Sequence, residues 1–493
     1  NLLLGKYKEK VQTIYIDPPF NKEQDADYLY NVKYKDSTWI TLLENRLRLA
    51  RDLLSDRGSI FVRCDYNGNM YVRLLMNEIF GKENFRNEIV VNRTIGYSRR
   101  AENNYEVGTE SLIWYAKLAE KTLFYRLWKE RQPVWYEMRV KYNKGGPTGK
   151  PIVIEGKEYH PPEGYSWFVG NEIAQEMYKK GKLKVEEGKL FVLVDKENLT
   201  SNWTDIPGYE KPWEFQTRNS EILLKRVIES TSNEGDLIMD FFLGSGTTTA
   251  VAHKLKRKWI GIEMGEHFWT VVLPRMKKVL AYDKSGISKE KDVKEKYNEK
   301  TAGGFFKYQI LEQYEDTLDN LEIKTKEPSI EFFTAGVSEI ELIKYILEPD
   351  NIDSPAFAGL DALNRSFNYR MKINFSEVGE PQETTIDIIE TFNYLIGLNV
   401  NRVWYRENNG RKYAFIAGEK DGKLTVVVWR EWNEYANKND YVEDRNFIMS
   451  QLEPLKPEVV YISANSALNP GDIGEVTEIN YIEPEFKQLM FGA

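Results

Sequence analysis

The sequence has little of the two residue types that build disulfides and zinc sites. Its 493 residues include one cysteine, Cys64, and three histidines, His160, His253 and His267. One cysteine cannot form an internal disulfide, and this usage favours a reducing cytoplasm. The scattered histidines fit none of the usual ligand spacings, so we expect no metal site.

Long apolar runs and a secretory leader are also missing. No stretch approaches the ~20 apolar residues that a bilayer-spanning helix requires, and residues 1–10 lack the basic start, apolar run and cleavage site of a signal peptide. We therefore expect no membrane partner. The composition, 41% hydrophobic and 29% charged, is typical of a soluble globular protein. The length exceeds the roughly 250–300 residues that one core supports, which predicts two or three domains.

Charge is divided unevenly along the chain. The net charge is -8, but residues 311–493 carry 17 Lys/Arg against 33 Asp/Glu, which leaves +8 for residues 1–310. Phosphate contacts need local positive potential rather than a positive whole molecule. The first three fifths could therefore face DNA while the acidic part stays away. The alternative is that both parts are merely solvated surfaces.

Apolar periodicity predicts an α/β protein whose strands and helices alternate in two separate stretches. The first consists of strand 11–16, helix 38–54, strand 59–63, helix 70–80 and strand 87–92. The second consists of helix 220–230, strand 236–242, helix 247–255, strand 259–263 and helix 267–282. Such alternation is typical of a parallel sheet.

The remaining segments suggest an insertion and a further domain. Glycine, proline, tyrosine and tryptophan interrupt any regular pattern in 93–212, and 284–300 is a charged connection. Beyond it lie helix 384–396, hairpin strands 412–417 and 424–429, helix 445–452 and strand 459–462. We predict that 1–92 and 213–290 are halves of one domain, that 93–212 is inserted, and that 291–493 is a linker with a smaller C-terminal α/β domain.

A glycine-rich turn follows the predicted strand 236–242. Its sequence is Asp240-Phe241-Phe242-Leu243-Gly244-Ser245-Gly246-Thr247. Glycine allows close approach of a ligand to the backbone, and no lysine follows as in triphosphate-binding loops. Glu263, about twenty residues later, could accept hydrogen bonds from ribose hydroxyls. The turn therefore favours a nucleoside ligand, although many strand-to-helix turns need glycine for packing alone.

A second chemical motif, Asp17-Pro18-Pro19-Phe20, ends the first predicted strand. The Asp17 carboxylate and the Pro18 carbonyl could hold both hydrogens of an aromatic amine and favour a pyramidal nitrogen. If the amine belongs to a nucleic-acid base, Phe20 would stack on that base, and the base must first leave the duplex. The alternative is an ordinary proline-rich turn.

Together these motifs resemble the beta class of DNA amino-methyltransferases, where a D-P-P-[YF] tetrad precedes an F-x-G-x-G loop with target recognition between them. The resemblance implies a Rossmann-like α/β methyltransferase with an inserted target-recognition domain, S-adenosyl-L-methionine as cofactor and catalysis by residues 17–20. It implies cofactor contacts from Asp17, Asp240, Phe241, Gly244, Ser245, Gly246, Thr247 and Glu263.

The stretch 215–221 is similar to the family's methionine-binding segment, often T-x-K-P and also T-x-N-S-E. Thr217 and Asn219 are therefore further cofactor candidates. The lysine of the commoner version is absent, which removes an ionic contact to the cofactor carboxylate. A plain helix N-terminus is the alternative for this stretch.

The long insert, the stretch 202–206 and a tail beginning at Gly303 are similar to modification subunits of Type III restriction systems. This resemblance implies double-stranded DNA, a helicase-nuclease restriction subunit and a second copy of the chain as partners. The leading aspartate of the tetrad favours adenine N6. Only about sixteen residues precede the tetrad, which leaves open whether the chain is a fragment.

Three other functions remain open at this stage. A recognition subunit with little methylation activity, an N4-cytosine methyltransferase, and a methylase of protein or RNA all fit the motifs. For DNA contact, the candidates are Arg93, Arg99 and Arg100, since arginine binds phosphates and reads base edges. The lysine cluster 179–184 fits a solvated surface better.

Overall fold

We describe a computed structural model of the chain. The described residues are 3–19, 36–93, 105, 107–141, 150–207, 219–313, 316, 320, 363, 366–375, 380–431, 438–463, 468–474 and 476–491.

The strands of the described residues are β1 (Val11–Ile16), β2 (Leu54–Cys64), β3 (Phe85–Asn92), β4 (Thr109–Ala116), β5 (Trp128–Glu137), β6 (Val140–Lys141), β7 (Ile152–Ile154), β8 (Lys157–Tyr159), β9 (Tyr165–Ser166), β10 (Leu183–Glu186), β11 (Lys189–Asn198), β12 (Asn202–Trp203), β13 (Leu237–Asp240), β14 (Lys258–Gly261), β15 (Arg370–Ile373), β16 (Gln382–Thr385), β17 (Asn399–Asn408), β18 (Arg411–Lys420), β19 (Lys423–Arg430), β20 (Val459–Ile462) and β21 (Glu478–Tyr481).

The α-helices of the described residues are α1 (Leu4–Tyr7), α2 (Asp36–Leu53), α3 (Asn69–Phe80), α4 (Asn171–Lys179), α5 (Glu221–Thr231), α6 (Thr247–Lys254), α7 (Leu273–Leu280), α8 (Lys291–Lys296), α9 (Ile388–Leu395), α10 (Lys438–Leu452) and α11 (Ile482–Phe491). A π-helical turn, Phe268–Val272, leads into α7. Across the described part of the chain, no helix is both long and apolar enough to cross a membrane.

Seven strands form the central sheet in the order β12-β3-β4-β2-β1-β13-β14. All of them run parallel except β4, which pairs antiparallel with β2 and with β3. The α/β prediction is confirmed, and the five strands predicted for this sheet, β1, β2, β3, β13 and β14, run parallel to one another. The antiparallel strand β4 was not predicted, and it lies in the segment 93–212 that was predicted to be inserted.

Alternate side chains of the buried strands enter two cores on opposite faces of this sheet. Tyr15 and Phe61 belong to the core formed with α5, α6 and α7. Ile14 and Ile60 belong to the core formed with α2 and α3. Because helices cover both faces, ligands can approach only at an edge or at the strand ends, and the carboxyl ends are the usual site in such sheets.

The segment 93–212 contributes to the central sheet as well as folding separately. Strands β4 and β12 lie in it and pair within the central sheet. Strands β10, β11 and β5 form a separate sheet, and Met138, Ile152 and Trp167 belong to a small core of their own. The separate part therefore begins after β4, while the domain boundaries at 92/93 and 212/213 stay predictions.

The C-terminal segment holds a five-stranded sheet in the order β17-β18-β19-β20-β21. The predicted hairpin strands and the strand 459–462 lie in it. The helix predicted over 384–396 is wrong at its start, because 382–385 is strand β16 paired with β15. The helix begins only after Asp387, whose side chain caps it by accepting from the backbone N–H of Glu390.

Candidate active site

The turn after β1 carries Asp17, Pro18 and Pro19 between the carboxyl ends of β2 and β13. Trp39 of α2, which is buried, donates from its indole Nε1 to the carbonyl of Pro19 over 2.7 Å. Gly68 lies against the same indole, and a Cβ there would be 2.7 Å from the ring. This packing fixes the path of the backbone just beyond Asp17.

Asn219, which lies two residues before α5, connects that turn to the second half of the sheet. Its Nδ2 donates to Oδ2 of Asp17 over 3.0 Å. Its Oδ1 accepts from the hydroxyl of Tyr15 over 3.0 Å and from Nη1 of Arg63. The structure thus brings Asp17 of the tetrad and Asn219 of the 215–221 stretch together, although 202 positions separate them.

A buried ion pair lies behind Asn219. Arg63 at the end of β2 and Glu110 at the start of β4 are 2.8 Å apart, and both side chains are fully buried. Nε of Arg93 lies 3.5 Å from the other oxygen of Glu110. Sequence reasoning missed Arg63 and Glu110, although a charged residue flanking an apolar strand was a usable signal.

The glycine-rich turn joins β13 to α6. Gly244 has φ +55° and Gly246 has φ +78°, conformations that favour glycine. The buried Asp240 accepts from the backbone N–H of Phe242 over 3.0 Å and from the hydroxyl of Thr248 over 2.5 Å. Burial raises the pKa of Asp240 to about 7, with a further contribution from the carboxylates of Asp17 and Glu263. Three predicted site carboxylates therefore influence one another.

Glu263 follows β14, and its carboxylate faces the glycine turn. One oxygen accepts from the backbone N–H of Gly244 over 2.6 Å, and the other accepts from those of Met264 and Gly265, each over 2.9 Å. His267 lies 3.4 Å away. Burial alone would raise the pKa of the Glu263 carboxyl. The hydrogen bonds from His267 and from the backbone outweigh burial and lower the pKa of Glu263 below its ordinary value.

Arg275 of α7 holds the turn from the other side, and sequence reasoning missed it. Its Nη1 donates to the carbonyl of Ser245 over 3.1 Å and to the hydroxyl of Thr247 over 2.8 Å. Its Nη2 donates to Glu221 of α5 over 3.0 Å, which in turn pairs with the buried Lys254. The loop is therefore tied to the helix that follows Asn219.

Four predicted site residues, Phe20, Thr217, Arg99 and Arg100, lie outside the described residues. Arg93, predicted to contact DNA, lies beside Glu110 with about a quarter of its side chain exposed. Phe241 packs its ring against Phe242, with centroids 5.4 Å apart. The individual roles of all these residues stay predictions.

Comparison with known proteins identifies the family. The model of the N6_N4_Mtase family, described as DNA methylase, matches residues 11–273. The probable type III restriction-modification enzyme HindVI Mod subunit of Haemophilus influenzae is 28% identical, and the match covers 71% of this chain and 58% of that protein. The type II methyltransferase M.EcaI of Enterobacter cloacae is 26% identical, covering 52% and 62% respectively. The chain spans about three fifths of the length of these curated relatives.

Solved structures are more distant. The complex of M1.HpyAVI with SAM is 18% identical, with a TM-score of 0.29 over 54% of this chain and 89% of that one. S-adenosylmethionine is the cofactor that the resemblance implies for this family. Since the family match covers more than half of the chain and includes both chemical motifs, the chain belongs to the N6_N4_Mtase family of DNA methylases.

Proposed function

We propose that this chain methylates the N6 amino group of an adenine rotated out of duplex DNA, as part of a Type III modification subunit. The observation that carries the proposal is the hydrogen bond between Asp17 and Asn219. It holds the acidic residue of the tetrad at the carboxyl ends of the strands, next to the glycine turn. A base amine and a methyl donor could meet there.

The chain's own groups would act on the amine. The Asp17 carboxylate accepts one amine hydrogen and the Pro18 carbonyl accepts the other, which turns the nitrogen lone pair out of conjugation with the ring. Phe20 would stack on the base. When bound, S-adenosylmethionine supplies an electrophilic methyl group. As the nitrogen gains the methyl group it loses one proton, and Asp17 is placed to accept that proton.

The residues around the glycine turn suit a nucleoside. A Cβ on Gly244 would meet only the carbonyl of Phe242, at 4.0 Å, so a ligand can approach the backbone there. Asp240 and Glu263 supply carboxylates that suit ribose hydroxyls.

Partners follow from the relatives. The HindVI and EcoP15I proteins are named Mod subunits of type III restriction-modification enzymes, which supports double-stranded DNA as substrate and a restriction subunit as partner. A homodimer and a cytoplasmic location complete the proposal. An adenine target rests on the aspartate of the tetrad, and YhdJ of Escherichia coli, 24% identical over 57% of this chain, is named a DNA adenine methyltransferase.

The test is incubation with radiolabelled S-adenosylmethionine and duplex DNA, followed by nucleoside analysis. Label in N6-methyladenine is the expected result. Label in N4-methylcytosine would overturn the adenine assignment. Unlabelled DNA together with normal cofactor affinity would instead favour a recognition subunit with little activity.

A further inference from the structure

We propose that Asn219 is a positioning residue for Asp17, held in place by Tyr15 and Arg63, and not a ligand of the cofactor as the resemblance implies. The inference rests on the proposed function, because it concerns the carboxylate that would receive the base amine. It adds a link between the reacting turn and the buried centre of the sheet.

The hydrogen bonds settle which way the amide of Asn219 points. Arginine can only donate, and Nη1 of Arg63 points at Oδ1 of Asn219. The hydroxyl of Tyr15 donates to the same oxygen, and burial raises the pKa of Tyr15 well above 10, so it keeps its proton. The amide NH₂ must therefore face Asp17, whose Oδ2 accepts from it.

The two residues that donate to Oδ1 of Asn219 lie on strands rather than on a loop. Tyr15 belongs to β1 and is fully buried. The guanidinium of Arg63 is held by Glu110 of the next strand over, at 2.8 Å, with both side chains fully buried. Because buried side chains of a packed sheet have little rotational freedom, this arrangement holds the amide, and through it one oxygen of Asp17.

This restraint has a chemical consequence for Asp17. A hydrogen bond from a neutral amide favours the ionised form of a carboxylate. It also fixes the plane of the carboxylate, and reaction rates are sensitive to small errors in the placement of reacting groups. Asn219 therefore acts on the orientation and charge of Asp17 while making no contact with the methyl donor.

The decisive variant is Asn219→Asp. It places a second carboxylate at the position of the NH₂ group, 3.0 Å from Oδ2 of Asp17, and two carboxylates so close cannot both stay ionised. We expect the acid limb of the kcat profile to move up by about 1–2 pH units, so that activity lost near neutral pH returns at alkaline pH. Asn219→Ala removes the hydrogen bond without adding a charge, so it should lower kcat by roughly 10–100-fold and move the acid limb up by less than Asn219→Asp does.

Other ionisable groups of the described residues face this site. They are Arg63, Cys64, Glu110 and Asp240 on the neighbouring strands, together with Tyr15. Burial raises the pKa of Cys64 well above 9 and that of Asp240 to about 7. Cys64 and Asp240 are unchanged in the Asn219 variants. A difference between the kcat–pH profiles of the wild type and a variant therefore reports on Asp17 and residue 219.

A matched pair of variants controls for loss of a buried hydroxyl. Tyr15→Phe removes the donor to Asn219, whereas Tyr115→Phe removes a hydroxyl that donates to Oδ1 of Asn77 over 2.7 Å, away from the site. Tyr15→Phe should lower kcat by about 3–10-fold, and Tyr115→Phe should leave kcat unchanged. Thermal unfolding confirms that each variant is folded.

The outcomes separate this inference from the proposed function. If the wild type transfers no methyl group to DNA, the proposed function fails. If the wild type is active and the kcat–pH profile of Asn219→Asp coincides with the wild-type profile, the inference is overturned. A tenfold loss of S-adenosylmethionine affinity in Asn219→Ala, measured by calorimetry, would make Asn219 a cofactor ligand and overturn it too. Unchanged affinity with a shifted profile supports it.

Discussion

The carboxylate of Glu263 accepts a hydrogen bond from the backbone N–H of Gly244 over 2.6 Å. It thereby joins the end of β14 to the glycine turn after the neighbouring strand, β13. Its other oxygen accepts from two successive backbone N–H groups, those of Met264 and Gly265. A residue predicted to hold a ribose therefore also shapes the loop on which the nucleoside would lie.

Glu263→Ala should destabilise the fold as well as weaken cofactor binding. It leaves three backbone donors without their acceptor, which costs about 1–3 kcal/mol in the free energy of unfolding. Glu263→Gln keeps one oxygen that can accept hydrogen bonds from the backbone. It should therefore reduce the free energy of unfolding by roughly half as much as the alanine variant does. Urea unfolding monitored by circular dichroism measures both, and an alanine variant as stable as the wild type would contradict this structural role.

Asp17→Ala should abolish methyl transfer without unfolding the protein. Asp17 is partly exposed at a turn, so its removal creates no large cavity, while the amine loses its charged acceptor. We expect kcat to fall by at least about 10²–10³-fold and the unfolding midpoint to change little. Labelled transfer to DNA and thermal unfolding are the measurements, and turnover comparable to wild type would remove the catalytic role.

Arg99→Ala combined with Arg100→Ala should weaken DNA binding and reduce its dependence on salt. Each lost phosphate contact lowers the slope of log affinity against log salt by about 0.9. The matched control is Lys179→Ala with Lys180→Ala, since Lys180 already pairs with Glu176 over 2.5 Å. An unchanged slope of log affinity against log salt in the arginine variant would contradict the prediction that Arg99 and Arg100 contact DNA.

Local patterns in the sequence predicted most of the elements around the site. The helix predicted over 70–80 matches Asn69–Phe80, and the glycine turn lies between a strand and a helix as expected. Strand β4 was not predicted, because it lies in the segment 93–212, where glycine, proline and aromatic residues interrupt the regular pattern. Its antiparallel direction was not predictable either, since the apolar pattern of a strand is the same in both directions.

The contacts that hold the site together were missed for a similar reason. Asp17 and Gly244 belong to motifs of adjacent residues, which can be recognised in the sequence alone. Arg63 meets Glu110 and Asn219 across 47 and 156 positions of sequence. Such pairs arise only once strands lie side by side, so a single sequence indicates at most that a charged residue flanks a buried strand.

Lys254→Met should be strongly destabilising. The ammonium of Lys254 is fully buried and lies 3.0 Å from Glu221 and 2.8 Å from Asp283. Removing one partner of a buried ion pair leaves an uncompensated charge, which costs about 3–5 kcal/mol. Lys284→Met is the control, because its pair with Glu299 is exposed and its loss should leave stability nearly unchanged. Equal denaturation midpoints for the two variants would contradict the prediction.

Asp240 should make the protein less stable as the pH rises from about 4 to about 7. Burial raises the pKa of Asp240 to about 7 from an ordinary value of 3.8. Between these values the folded state holds a proton that the unfolded state has released, so raising the pH favours unfolding. The stabilising contribution is complete below about pH 4 and is lost once the pH passes 7.

Asp240→Asn isolates this effect, because an amide can still accept from the backbone N–H of Phe242 and can donate to the hydroxyl of Thr248, the two present partners. The variant should be more stable than the wild type at pH 8 by roughly 2–4 kcal/mol, the free energy that corresponds to the pKa shift. Near pH 4 the two should be equally stable. Urea midpoints measured from pH 4 to 8 provide the comparison, and a stability difference that does not grow across this range would mean that Asp240 stays ionised in the folded protein.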